Sequence, residues 1–108
     1  MQVENYQHYT FEARPYTETA TVEEIKAIKD RVYLYDKQII FFKELPVQSD
    51  FSVNIAFDQI TELAQPLDQC GLIIDLSAAK RPNARVRRTI NQRFKKICDH
   101  VDHVAYCT

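Results

Sequence analysis

The sequence predicts a single α/β domain: a small mixed sheet with an N-terminal hairpin followed by strand-helix-strand units. Two stretches carry that prediction. Residues 31–43 hold two β-branched and aromatic runs, Arg31-Val32-Tyr33-Leu34-Tyr35 and Gln38-Ile39-Ile40-Phe41-Phe42-Lys43, flanking a polar Asp36-Lys37. Residues 71–104 read as a buried strand, Leu72-Ile73-Ile74-Asp75-Leu76, then a loop and a long basic helix over about 82–101. The apolar run Val104-Ala105-Tyr106-Cys107 follows directly, completing the unit that builds a parallel sheet. A length of 108 residues suits one domain with one ordinary core.

Taken in order, residues 1–20 are polar with scattered aromatics, Tyr6, Tyr9, Phe11 and Tyr16, and are expected to form a loosely held arm. Loose alternation over His8–Arg14 allows an edge strand, which Pro15 interrupts. Thr21-Val22-Glu23-Glu24 fits a capping box, with Val22, Ile25 and Ile28 along one side of a short helix. The same residues fit a strand with Ile25 and Ala27 on one side, and the strand is preferred because more strand follows at once. The hairpin turn lacks glycine, so a tight type I′ turn would be strained and a slightly longer connection is expected.

Ser49-Asp50 supply an N-cap for a helix reaching about Leu67, with Phe51, Ile55, Ala56, Ile60, Leu63, Ala64 and Leu67 on its core face. Pro66 and then Gly71 mark its end. Leu72–Leu76 is apolar on both faces apart from Asp75, as suits a central parallel strand. Pro82 suits the first turn of the next helix, where its missing N–H costs nothing. Val86, Ile90, Phe94, Ile97 and Val101 make that helix's core stripe.

An apolar share of 45% and a charged share of 27% exclude wholesale disorder. No apolar run is long enough to span a bilayer and no charged-then-apolar leader opens the chain, so no membrane association and a cytoplasmic location are expected. Cys70, Cys98 and Cys107 cannot all pair within one chain and read as free thiols. The net charge of −1 conceals an asymmetry: residues 1–79 carry six Lys/Arg against thirteen Asp/Glu (−7), and residues 80–108 carry eight against two (+6). Such a split steers anions to one face, or lets two copies meet acidic face to basic face.

The candidate ligand- or partner-binding residues are therefore Lys80, Arg81, Arg85 and Arg88. A helix N-terminus attracts anions through its free N–H groups, and cations placed there oppose the dipole by roughly a few tenths of a kcal/mol each. That opposition points to a bound protein partner or small anion; the competing reading is a solvated basic face. Nucleic acid is the less favoured alternative. Arg85, Arg88, Arg93 and Lys96 are placed to reach phosphates, but Phe94 belongs to the core stripe and no stacking aromatic remains. The single glycine, Gly71, excludes glycine-rich phosphate loops and dinucleotide fingerprints, and no cofactor is expected. Cys98, His100, His103 and Cys107 match no standard zinc spacing. Nothing sets a thiol against an imidazole, and Asp75, at a strand end, reads as a loop cap, so no enzyme is expected.

At Ile73-Ile74-Asp75-Leu76-Ser77 the sequence resembles the sulfate-transporter and anti-sigma-factor-antagonist (STAS) family, whose strand ends in Asp-Leu-Ser before a loop and a helix. The hairpin and helix over Val32–Leu67 stand in that family's order, so the resemblance reaches most of the chain from Val32 onward. It departs where the family carries Asp-Ser-Ser-Gly near the helix start: Asn83-Ala84-Arg85-Val86 stand there, and the regulatory serine would be Ala84 or Arg85. The resemblance implies a non-enzymatic interaction module without the phosphorylation switch, its partner face around the loop and helix after this strand. It also implies that the domain is abridged at its C-terminus or has its sheet completed by another copy. A bare apolar edge at Val104–Cys107 points the same way, to a homodimer.

Overall fold

In a computed structural model of the protein, residues 9–108 are described. They form α1 (Val22–Asp30), β1 (Val32–Asp36), β2 (Ile39–Lys43), α2 (Asp50–Ala64), β3 (Cys70–Asp75), α3 (Ala84–Ile97) and β4 (Val101–Cys107). The architecture is the expected mixed α/β one. β1 and β2 make an antiparallel hairpin, and β3 pairs in parallel with β2 on one side and β4 on the other. The spatial order of the sheet, β1-β2-β3-β4, is thus the order of the chain. The crossovers through α2 and α3 step the same way across the sheet. Crossovers have one preferred hand, so two steps in one direction lay both helices on one face.

That face holds the main core. Ile40 and Phe42 of β2 and Leu72 and Ile74 of β3 are buried with Val53, Ala56, Phe57 and Ile60 of α2 and with Val86 and Ile97 of α3. The alternate residues Ile39, Phe41 and Ile73 belong to neither buried cluster and are half-buried, so no described helix covers the second face. Phe41 meets Tyr33 there, ring centroids 5.4 Å apart.

Several expectations need correction. Residues 22–30 are a helix and not a strand: Thr21 accepts from the Glu24 N–H at 3.1 Å while the Glu24 carboxylate accepts from the Thr21 N–H at 2.8 Å. That capping box satisfies two donors that a helix start otherwise leaves orphaned. Ala27 and Ile28 are buried, whereas Val22 stays in solvent. Residues 9–20, read as part of a loosely held arm, form no helix or strand, yet Phe11 and Tyr16 are buried with Ala27, Ile28 and Leu45 in a second cluster. His8 and the rest of the arm lie outside the described residues.

The hairpin connection is only two residues, Lys37-Gln38. A register shift between Leu34 and Asp36 replaces the longer loop, and no described non-glycine residue takes positive φ. α2 stops at Ala64 because Pro66 has no N–H to continue the ladder. Its core face also includes Val53 and Phe57, and Gly71 lies inside β3 instead of ending a helix. α3 begins at Ala84, since the Asn83 side chain accepts from the Val86 N–H at 2.9 Å and leaves Pro82 outside the helix. It ends at Ile97, and Val101 is buried as the first residue of β4.

Candidate functional site

β2, β3 and β4 end side by side at Lys43, Asp75 and Cys107, which share one register row. Two sets of side chains alternate there. On the bare face, Lys43 Nζ lies 3.3 Å from Asp75 Oδ2, and Asp75 Oδ1 accepts from the Ser77 N–H at 2.9 Å. The Ser77 backbone bond, reinforced by the Ser77 side chain and Lys43, holds the Asp75 carboxyl below its ordinary range. Asp75 therefore caps the loop after β3.

On the helix-covered face the next residue in line is Glu44, because residues two apart on an extended chain point the same way and Phe42 is core. Glu44 is only 5% exposed, and its Oε1 accepts from the Leu45 N–H at 2.9 Å. Burial pushes its pKa up to about 7, against the opposing pull of the Leu45 N–H and the Arg31 guanidinium. Arg31 is itself buried: Nε donates to the Lys43 carbonyl at 3.0 Å, Nη2 to the Glu44 carbonyl at 3.3 Å, and the guanidinium lies 4.9 Å from the Phe11 ring centre.

Glu44 and the buried Gln48 border a cleft of about 130 Å³ between sheet and helices. Its strand residues are Phe42, Ile74 and Tyr106, its helix residues Phe57, Ile90 and Phe94, and Leu76 and Pro82 complete it from the loop after β3. A hollow of about 340 Å³ adjoins it, bordered by Lys80, Arg81, Ala79 and Thr108 and sharing Gln48, Leu76 and Pro82 with the cleft. The loop carrying the two cations is tied down: the Lys80 N–H donates to the Pro46 carbonyl at 2.9 Å, and Gln48 Nε2 to the Lys80 carbonyl at 3.5 Å.

The structure thus brings Lys80 and Arg81 together in one hollow, ahead of α3 and not on its first turn. Neither side chain makes an ion pair with a described residue. Arg85 differs. Its Nε pairs with Asp50 Oδ2 at 2.8 Å, and Thr89 donates to the other Asp50 oxygen at 2.8 Å, joining the starts of α3 and α2. Arg88 is exposed and borders neither space. Arg93 is held by Asp58 at 2.7 Å and by Asn54 Oδ1 at 2.9 Å.

His100 Nδ1 lies 3.1 Å from the Leu67 carbonyl, while His103 Nδ1 lies 2.9 Å from Asp102 Oδ1. Among the described residues no three His, Cys, Asp or Glu side chains gather as metal ligands. Cys70, Cys98 and Cys107 are free thiols. No described helix is long and apolar enough to cross a membrane.

Sequence reasoning missed Glu44, Gln48 and Tyr106. The signal for Glu44 was present, since the alternation that buries Ile40 and Phe42 continues one step past β2. Comparison of the chain with family models, with curated proteins and with solved structures found no match. The likeness to STAS domains accordingly rests on the Asp75-Leu76-Ser77 strand end and the order of elements alone.

Proposed function

We propose that the protein is a non-enzymatic, cytoplasmic binding module that takes an anionic group, free or on a protein partner, at Lys80 and Arg81. The observation that supports this reading is the hollow beyond the parallel strand ends, which two exposed cations border with no carboxylate paired to either among the described residues. Two like charges held on a tethered loop repel each other, and a shared anion relieves that repulsion. Arg85 and Arg88 extend the positive field along α3, although Asp50 already neutralises part of Arg85.

Titration of the full chain with inorganic phosphate tests the reading. A Lys80→Glu/Arg81→Glu double variant is expected to lose phosphate binding, whereas a charge-matched Lys95→Glu/Lys96→Glu variant at the far end of α3 retains it. Equal affinity of all three proteins would refute the assignment.

A homodimer belongs to the same proposal. Among the described residues β4 pairs with β3 alone, and as an edge strand it leaves Val104 39% and Tyr106 58% exposed. An unpaired edge carrying apolar residues is a template for a second strand.

A further inference from the structure

We propose that the cleft and the hollow are two halves of one site for a small amphipathic organic anion: a single ring or short hydrocarbon body bearing one carboxylate or phosphate. The body lies in the cleft against Phe42, Ile74, Phe94 and Tyr106, and the anionic group lies in the hollow at Lys80 and Arg81. This rests on the anion reading above and adds the ligand's apolar half to it.

Closely packed interiors leave few voids larger than a water molecule, so an apolar cleft between sheet and helices is a feature to be explained. The Phe57 and Phe94 rings already meet edge to face, centroids 5.1 Å apart, so the space is not left by poor aromatic packing on that side. A space lined by hydrocarbon does not hold water well, but it does hold hydrocarbon. An apolar cavity of roughly 150 Å³ accommodates benzene. At about 130 Å³ the cleft itself has room for one ring or a chain of similar bulk, and the remainder of a longer body would stay outside it.

The hollow sets which end goes in first. Gln48, Leu76 and Pro82 border both spaces, so a ligand seated in the cleft emerges beside Lys80 and Arg81. The opposite orientation would carry the anionic group toward the Glu44 carboxyl and away from both cations. An anion without a body would leave the cleft unused.

The test compares acetate, hexanoate, 3-phenylpropionate and decanoate, titrated into the full chain and followed by calorimetry. Each methylene moved from water into the cleft is worth a factor of about four in affinity. Hexanoate and 3-phenylpropionate are expected to bind at least tenfold more tightly than acetate, and decanoate no more tightly than hexanoate. Ile90→Phe fills the cleft and is expected to abolish the gain while leaving phosphate binding intact. Tyr106→Ala, on the exposed edge strand, is expected to weaken 3-phenylpropionate about tenfold without loss of fold, and it decides the matter should Ile90→Phe not fold. Acetate and 3-phenylpropionate binding equally well, or 3-phenylpropionate binding unchanged in Tyr106→Ala, would overturn the proposal. Absence of phosphate binding in the parent protein would instead strike at the anion reading, so the two failures are distinguishable.

Discussion

Replacing Glu44 by Gln should change how stability depends on pH. In the folded protein burial raises the Glu44 pKa from 4.5 to about 7. A carboxyl raised in this way favours folding while it is protonated and loses that advantage as it ionises. Its contribution is therefore undiminished below pH 4.5, declines between pH 4.5 and about 7, and stays constant above. A rise from 4.5 to about 7 amounts to about 3 kcal/mol above pH 7. Glu44 lies almost wholly out of solvent, so water screens little of this. Glutamine keeps the oxygen that accepts from Leu45 but adds an amide N–H₂, which costs about 1–3 kcal/mol wherever it finds no partner. That cost is the same at every pH. Urea unfolding of both proteins at pH 5, 6, 7 and 8 should then show the variant gaining about 2–3 kcal/mol on the parent between pH 5 and 8. Parallel stability profiles for the two proteins would refute the claim that Glu44 ionises against its surroundings.

Three further perturbations follow from the fold. Thr21→Ala opens the capping box of α1 and should cost about 1 kcal/mol by chemical denaturation, with Thr21→Ser close to neutral. Phe57→Ala removes a ring that is 2% exposed, enlarges the existing cleft and should cost about 3–5 kcal/mol; a loss below about 1 kcal/mol would mean that the layers close over the space. Light scattering should give the mass of two chains for the parent and of one for Val104→Lys, since a charge on the outer strand blocks edge pairing.

The hairpin, α2 and the central strand were legible because their signals are local and agree with one another. Ser49 caps, the apolar positions of 51–64 repeat at helical spacing, and Leu72–Ile74 is apolar on both faces. α1 was misread because Ile25, Ala27 and Ile28 fit both periods, and the neighbouring strands outweighed the Thr21–Glu24 box that decides the matter. Val101 extended the helical stripe by coincidence of spacing: it is buried, but from the sheet. For the site, the run of cations was visible while its division was not. Asp50 lies 35 residues before Arg85, and only the folding of α2 beside α3 brings them within 2.8 Å. The cleft was invisible for the same reason, since its residues come from both layers and from loops well separated in the chain.

The coincidence of chain order and sheet order has a consequence for synthesis. A chain leaving the ribosome exposes its N-terminal part first, and each later strand finds its neighbour already made, β2 across a two-residue turn and β3 and β4 across one helical connection each. Of the described strands β4 arrives last, and among them it hydrogen-bonds to β3 alone. Until it docks, β3 is an open edge, and the cleft lacks Tyr106 and the hollow lacks Thr108. The seven-residue β4 therefore adds the fourth described strand and closes the cleft and the hollow in a single step, and a chain cut before it would carry the two cations without the walls they adjoin.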